Sequence, residues 1–344
     1  MPVRNRSLVV MAAAISVMSS GCTPRGTDQT PTMSLPNPTD TPTKPDKPAV
    51  PTGPPSVLKV TVGKNAYYVN LNSKETPPTP KFPALETKPG VLRGYVLDAS
   101  GKPLKGAYIG VRVTMFGGRY SGASAETDDK GYYEIQVPQG AAHFYAAGYT
   151  VDYADGRAAL TLHPADGKLS TFVSSDGSVE NFVLWTYGVA DRDSVSENPR
   201  LRSNFYGGSL YVGHFTADAG DTNAPPSNLR TGTEIEITLT PEGKLLDGSV
   251  GQQFVIKKAV YGTGFTINNI PVGQYRLTAK RADGQPLLMK LNKPKGLTFG
   301  IVPEQTTEGA LLSLHPGGVK ASMATPGRGN WDAVEVYVEI PMAK

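Results

Sequence analysis

Acid–base, nucleophilic or metal chemistry in this 344-residue chain would have to come from only four histidines and one cysteine, besides its carboxylates and hydroxyls. His163 and His315 are the most suggestive pair. Each ends an apolar stretch and precedes a proline, in Leu160-Thr161-Leu162-His163-Pro164 and Leu312-Ser313-Leu314-His315-Pro316. A zinc site needs three or four converging His, Cys, Asp or Glu ligands, and the chain contains neither HExxH nor HxxE. A histidine repeated in two equivalent contexts predicts a fold element rather than one active site. His214 would revive acid–base chemistry only by meeting His163 and a carboxylate within hydrogen-bonding reach.

Other chemistries are no better supplied. No G-x-S-x-G elbow marks a serine nucleophile. Gly117-Gly118 and Gly207-Gly208 lack the helix and the Lys-Ser/Thr of a phosphate loop. Asp152, Asp155, Asp191 and Asp193 are candidate calcium ligands, but no D-x-D-x-D-G spacing joins them, and loop aspartates usually form turns. No catalytic residue, metal site or cofactor is expected, and the chain is expected not to be an enzyme. Its formal charge of +4 falls to +2 without Arg4 and Arg6, too weak to imply a nucleic-acid partner.

The elements that would position any site are strands. Ala107, Ile109, Val111 and Val113 alternate with Tyr108, Gly110, Arg112 and Thr114, and Tyr133, Ile135 and Val137 repeat the pattern. Period two gives half-buried strands. Asp98-Ala99-Ser100-Gly101 and Asp128-Asp129-Lys130-Gly131 place Asp first and Gly last, as type I turns prefer. The segment Gly94-x-Val96-x-Asp98-x-x-Gly101-x-Pro103-Leu104-x-Gly106-Ala107, with Thr127-Asp128-x-x-Gly131-x-Tyr133-x-Ile135-x-Val137-Pro138-x-Gly140, resembles the carboxypeptidase regulatory-like domain. That resemblance implies a transthyretin-like (prealbumin-like) β-sandwich and a non-catalytic module, and names no ligand.

The N-terminus has the parts of an export signal: Arg4 and Arg6, the apolar run from Leu8 to Met18, then Ser19, Ser20, Gly21 and Cys22. The run is too short to span a bilayer. Ser20-Gly21-Cys22 looks like a bacterial lipobox, although Ser19 stands where Leu is usual. The resemblance implies a lipidated, palmitate-bearing Cys22 as membrane anchor. It places the protein in the cell envelope, at the outer membrane or cell surface. A sole, unpaired cysteine in an exported chain fits that role. Ten prolines then fall between Cys22 and Pro55, which predicts an extended tether reaching on the order of 100 Å. Val57–Val62 and Tyr67–Leu71 flank Gly63-Lys64-Asn65-Ala66 and read as a hairpin that docks on the neighbouring β-domain.

The second half restates the first. Beyond the two His-Pro stretches, Tyr133 to Gly140 is echoed by Phe265 to Gly273, and Val179–Tyr187 by Trp331–Ile340. The expected architecture is all-β, with two tandem antiparallel prealbumin-like or Ig-like sandwiches. The divisions are a signal peptide at 1–21, a tether at 22–56, a hairpin and linker at 57–89, and sandwiches at 90–187 and 188–344. Tyr145, Tyr149, Tyr153, Trp185, Tyr187, Phe205, Tyr206, Tyr211 and Trp331 either fill the cores or offer a face to a ligand. Phe205 and Tyr206, at the junction, are the candidate ligand contacts. The expected role is binding or structural, toward a glycan or a surface-protein partner. Carbohydrate recognition or polysaccharide uptake is the alternative, favoured by exposed aromatics clustered on one sheet face.

Overall fold

The alternation at Ala107–Thr114 becomes the strand Tyr108–Thr114, with Ile109, Val111 and Val113 buried. The same rule holds along most of the chain. The computed structural model describes residues 56–72, 75–292 and 298–342. The signal peptide, Cys22 and residues 23–55 of the tether lie outside them. The described chain is almost entirely β, with one short α-helix at Arg192–Glu197. Nine strands between 91 and 184 form one sheet, and two further sheets of six and seven strands are built mainly from 208 to 339.

Both halves follow one pairing plan. In the first, Val91–Asp98 lies between an antiparallel neighbour, Tyr132–Gln136, and a parallel one, Phe182–Leu184. In the second, Gly208–Gly213 lies between antiparallel Gly264–Ile270 and parallel Trp331–Glu339. Tyr108–Thr114 pairs antiparallel with Tyr120–Glu126 and Ala141–Tyr153, as Glu234–Pro241 does with Gln253–Ala259 and Gln274–Arg281. The two His-Pro steps match as well. His163 pairs with Val183 and His315 with Asp332, each on the strand that closes its half.

Two expectations need correction. The sheets are mixed rather than antiparallel, because each closing strand returns beside the opening one only after the chain has traversed the half, and so arrives parallel. The segment from Val57 is not a hairpin. Val57–Val62 adds parallel to Gln253–Ala259, and Tyr68–Asn70 adds parallel to Gly264–Ile270, in a different sheet. An isolated hairpin is marginal in water; here each strand finds a preformed edge. Lys258, itself buried, fixes the crossing by donating from Nζ to the Gly63 and Lys64 carbonyls, 2.8 Å each.

The residues behind the family resemblance are occupied in holding the fold. Asp98 Oδ1 accepts from the backbone N–H of Ser100 and Lys102, and Asp128 Oδ1 from those of Lys130 and Tyr132. Thr127 Oγ1 accepts from Ala107 N and donates to the Leu104 carbonyl. Gly94 has no alternative, since a Cβ there would lie 1.8 Å from the Glu180 carbonyl oxygen.

The halves share a continuous apolar core and are joined by directed bonds. Tyr153, buried at the end of its strand, donates to the Gly273 carbonyl (3.0 Å) and accepts from Leu314 N (2.7 Å). Its ring stacks on Phe299 and meets Trp331 edge-on. The chain from 318 to 330 lies along the first half: Ala147 N donates to the Ala324 carbonyl, Ala159 N to the Gly318 carbonyl, and Asn330 Nδ2 to the Ala159 carbonyl. A Cβ at Gly148 would come within 2.5 Å of the Ala321 carbonyl oxygen, so glycine is needed for the approach. Val272 N donates to the Thr186 carbonyl and Gly188 N to Asn269 Oδ1 at the chain crossing.

Tyr153→Phe keeps the ring and strands two backbone groups. A loss of about 1–3 kcal/mol is expected in urea denaturation of the full chain. A change below about 0.5 kcal/mol, the scale of ordinary surface substitutions, would contradict this role.

Candidate functional site

The histidines were the first candidates. His163 is buried, stacked 3.7 Å from Trp185 between ring centroids, with Nδ1 2.9 Å from the Tyr206 hydroxyl. Burial, with the Asp191 charge second, pushes that hydroxyl's pKa up. His163 also borders a cleft of about 410 Å³ that includes Asp191 and Arg328, where Asp191 caps the Arg192–Glu197 helix by accepting from Ser194 N. His214 is buried in the second half, and burial lowers its pKa. His315 stacks on Phe299. Among the described residues, no group of three or more His, Cys, Asp or Glu could hold a metal ion.

Phe205 and Tyr206 require correction as ligand contacts. They are 0% and 2% exposed, so neither offers a face to a ligand. Tyr206 is drawn in by its N–H bond to the Gly188 carbonyl and by its edge-on contacts with His163 and Trp185. Tyr153, Trp185 and Trp331 are buried as well. Tyr211 and Tyr145, by contrast, face outward from half-buried positions on two different sheets.

Tyr211 belongs to the best-formed candidate, the outer face of the seven-stranded sheet. Register sets its residues in rows, because alternate side chains on adjacent strands share a face. Asn70, Asn268, Ser209 and Ala333 form one row; Tyr68, Thr266, Tyr211 and Glu335 form the next. In the third row, Gly264 and Gly213 leave room for rings. A Cβ at Gly213 would fall 2.7 Å from the Tyr337 ring, and one at Gly264 would fall 2.5 Å from the Tyr211 hydroxyl. Tyr337 therefore lies against bare backbone, 6.4 Å from Tyr211 and stacked 5.7 Å from Phe215. Phe215 is 58% exposed.

A cleft of about 370 Å³ adjoins these rings, with Ser209, Thr266, Asn268 and Glu335 on its floor. The chain at 199–200 covers one end: Asn70 Nδ2 donates to the Pro199 carbonyl (2.7 Å) and Asn268 Nδ2 to the Arg200 carbonyl (2.9 Å). Ser209 Oγ donates to Asn268 Oδ1, and Asn292 Nδ2 to Glu335 Oε2. Arg202 pairs with Asp332 at 2.8 Å on the rim. Asn268 and Ser209 are buried and only brace this face, so the groups it presents are the rings and the exposed Glu335 carboxylate, which suit a ligand with one apolar face and several hydroxyls. A smaller outward patch lies on the first half, where the Arg112 guanidinium sits 4.4 Å above the Tyr120 ring, near Tyr145.

Sequence reasoning missed Tyr337 and Phe215. Trp331–Ile340 read only as the echo of Val179–Tyr187, and the pairing of Tyr337 with Gly213 depends on a register formed over more than a hundred residues.

No protein-family model matches the chain, and no curated relative does. Solved structures with some likeness include the Bacillus anthracis TIE protein, at 13% identity and TM-score 0.27, covering 73% of this chain and 34% of that one. A streptococcal ancillary pilin has 14% identity and TM-score 0.19, covering 73% and 62%. The shaft pilin SpaA from Lactobacillus rhamnosus GG has 12% identity and TM-score 0.18, covering 75% and 99%. The chain thus spans about a third of the TIE structure and under two thirds of the ancillary pilin.

One titration is legible in the first half. Burial, with the Asp166 charge second, pushes the Glu180 carboxyl up to about 8. The folded state therefore holds a proton that the unfolded chain releases from about pH 5 upward. By linkage, stability falls as pH rises from about 5 to 8. Glu180→Gln should flatten that slope and raise stability at pH 8 in urea denaturation; an unchanged slope would contradict the assignment.

Proposed function

We propose that this chain is a non-enzymatic, lipid-anchored protein of the cell envelope. It presents two related β-sandwiches, near 90–187 and 188–344, at the end of a Pro/Thr-rich tether, in a binding or structural role. The observation that supports the reading best is the junction: Tyr153, Gly148 and the chain at 318–330 join the halves through hydrogen bonds and close backbone contact. Such a junction resists hinge motion and suits a stiff module held away from a lipid surface. The anchor rests on Cys22, and the envelope location, at the outer membrane or cell surface, rests on the export signal and lipobox. More than one acyl chain on Cys22 would hold the protein firmly, at about 0.8 kcal/mol per buried CH₂. Cys22→Ala is expected to move the protein from membrane to soluble fractions. Unchanged fractionation would contradict the anchor.

Carbohydrate recognition is the second reading, favoured by one observation: Tyr211, Tyr337 and Phe215 share a face with the Asn268–Glu335 cleft. Against a panel of cell-wall and storage polysaccharides, binding should fall by about tenfold or more in Tyr337→Ala and Phe215→Ala, the scale of losing a stacked ring. Binding indifferent to both substitutions, or none to any glycan, would set this reading aside and leave a protein partner.

A further inference from the structure

The two halves share a pairing plan, but among the described residues only the second has a strand added to each of its two outer edges. In the second half, Val57–Val62 lies along the outer edge of Gln253–Ala259, and Tyr68–Asn70 along that of Gly264–Ile270. Leu58, Val60 and Val62 pack against the core between the sheets, and under them Phe254, Ile256 and Lys258 are buried. The equivalent strands of the first half are Tyr120–Glu126 and Tyr132–Gln136. Each pairs on one side only, with Tyr108–Thr114 and Val91–Asp98 respectively. Among the described residues no strand is hydrogen-bonded on their outer sides, although the two strands lie near each other.

The bare edge differs from the covered one as an acceptor would. No residue of Tyr120–Glu126 is buried, and its inward positions are the small, half-buried Ser121, Ala123 and Ala125. Ala123 and Ala125 reach the rim of the core without closing it. Exposed edges are ordinarily guarded by lysine, proline, a bulge or an inward charge. From Tyr120 to Ala125 there is no charged residue and no proline, and pairing with Tyr108–Thr114 runs without a break in register. Tyr120, 57% exposed, and Arg112 stand beside it.

We infer that the outer edge of Tyr120–Glu126 is an acceptor site for an extended segment of a protein partner. The segment runs parallel to it and carries branched apolar side chains at alternate positions. The occupant's chemistry is set by the one segment that already fills the equivalent edge of this fold, Val57-Leu58-Lys59-Val60-Thr61-Val62. Backbone hydrogen bonds would supply affinity, and the shallow rim at Ala123 and Ala125 would admit side chains where Phe254 and Ile256 already fill the core in the other half. The inference rests on the reading of this chain as a binding protein, and names where a protein partner attaches.

The test uses the full chain and a labelled synthetic peptide of residues 56–71 as probe. Saturable binding is expected, at least about tenfold weaker in Ala123→Lys, which points a charge inward from the edge, and unchanged in Lys258→Ala, which loosens the chain's own strand. Hydrogen exchange reads the site even if Ala123→Lys folds poorly: the peptide should slow amides at 120–126 in the unsubstituted chain. Absence of binding overturns the inference. So does binding that ignores Ala123→Lys and grows in Lys258→Ala, which would mean exchange with the resident segment. A dimer abolished by Ala123→Lys, without peptide binding, would assign the edge to a second copy of the chain and also overturn it. A negative glycan screen leaves every one of these outcomes readable.

Discussion

One buried hydroxyl group organises the contact between the two halves. Tyr153 closes the long strand Ala141–Tyr153, and its oxygen satisfies a carbonyl at Gly273 and an N–H at Leu314. Both belong to the second half. Neither group has water as a ready alternative, so separating the halves would strand backbone polar atoms as well as expose apolar surface. The rings of Phe299 and Trp331 gather on the same side chain. The bonds of Ala147, Ala159 and Asn330 extend the contact, and Gly148 sets how close it can be.

Residues singled out in the sequence are taken up by the fold: His163 by a stack with Trp185, Asp98 and Asp128 by the expected turns, Asp191 by a helix cap. On the seven-stranded sheet, glycines at 213 and 264 let rings lie on backbone beside fixed polar groups. On the nine-stranded sheet, Tyr120–Glu126 has no hydrogen-bonded outer neighbour among the described residues, whereas its counterpart has one.

Much of the architecture was legible. Period-two alternation located Tyr108–Thr114 and Tyr132–Gln136, and the repeated His-Pro step foreshadowed matched positions against the two closing strands. What failed shares one physical cause, the dependence on partners far along the chain. Val57 to Leu71 has a hairpin's local pattern, yet its strands pair with sheets near residues 253 and 264, and its crossing is tied by Lys258, 195 residues from Gly63. Parallel closure of each half is equally non-local. Phe205 and Tyr206 have the composition of a surface aromatic site, and only the folded junction buries them. The Tyr337 platform depends on which glycine faces it across the sheet, a matter of register that composition does not encode.

The central claim is that the halves unfold as one body despite their repeated plan. Native-state hydrogen exchange on the full chain tests it most directly, because amide opening free energies report cooperative units. The expected result is one shared opening free energy for the slowest amides of Gly156–Pro164 and Trp331–Glu339, falling together in Tyr153→Phe. Protection of one half while the other opens at a much lower free energy would contradict it, and would make the chain two independent modules that merely touch.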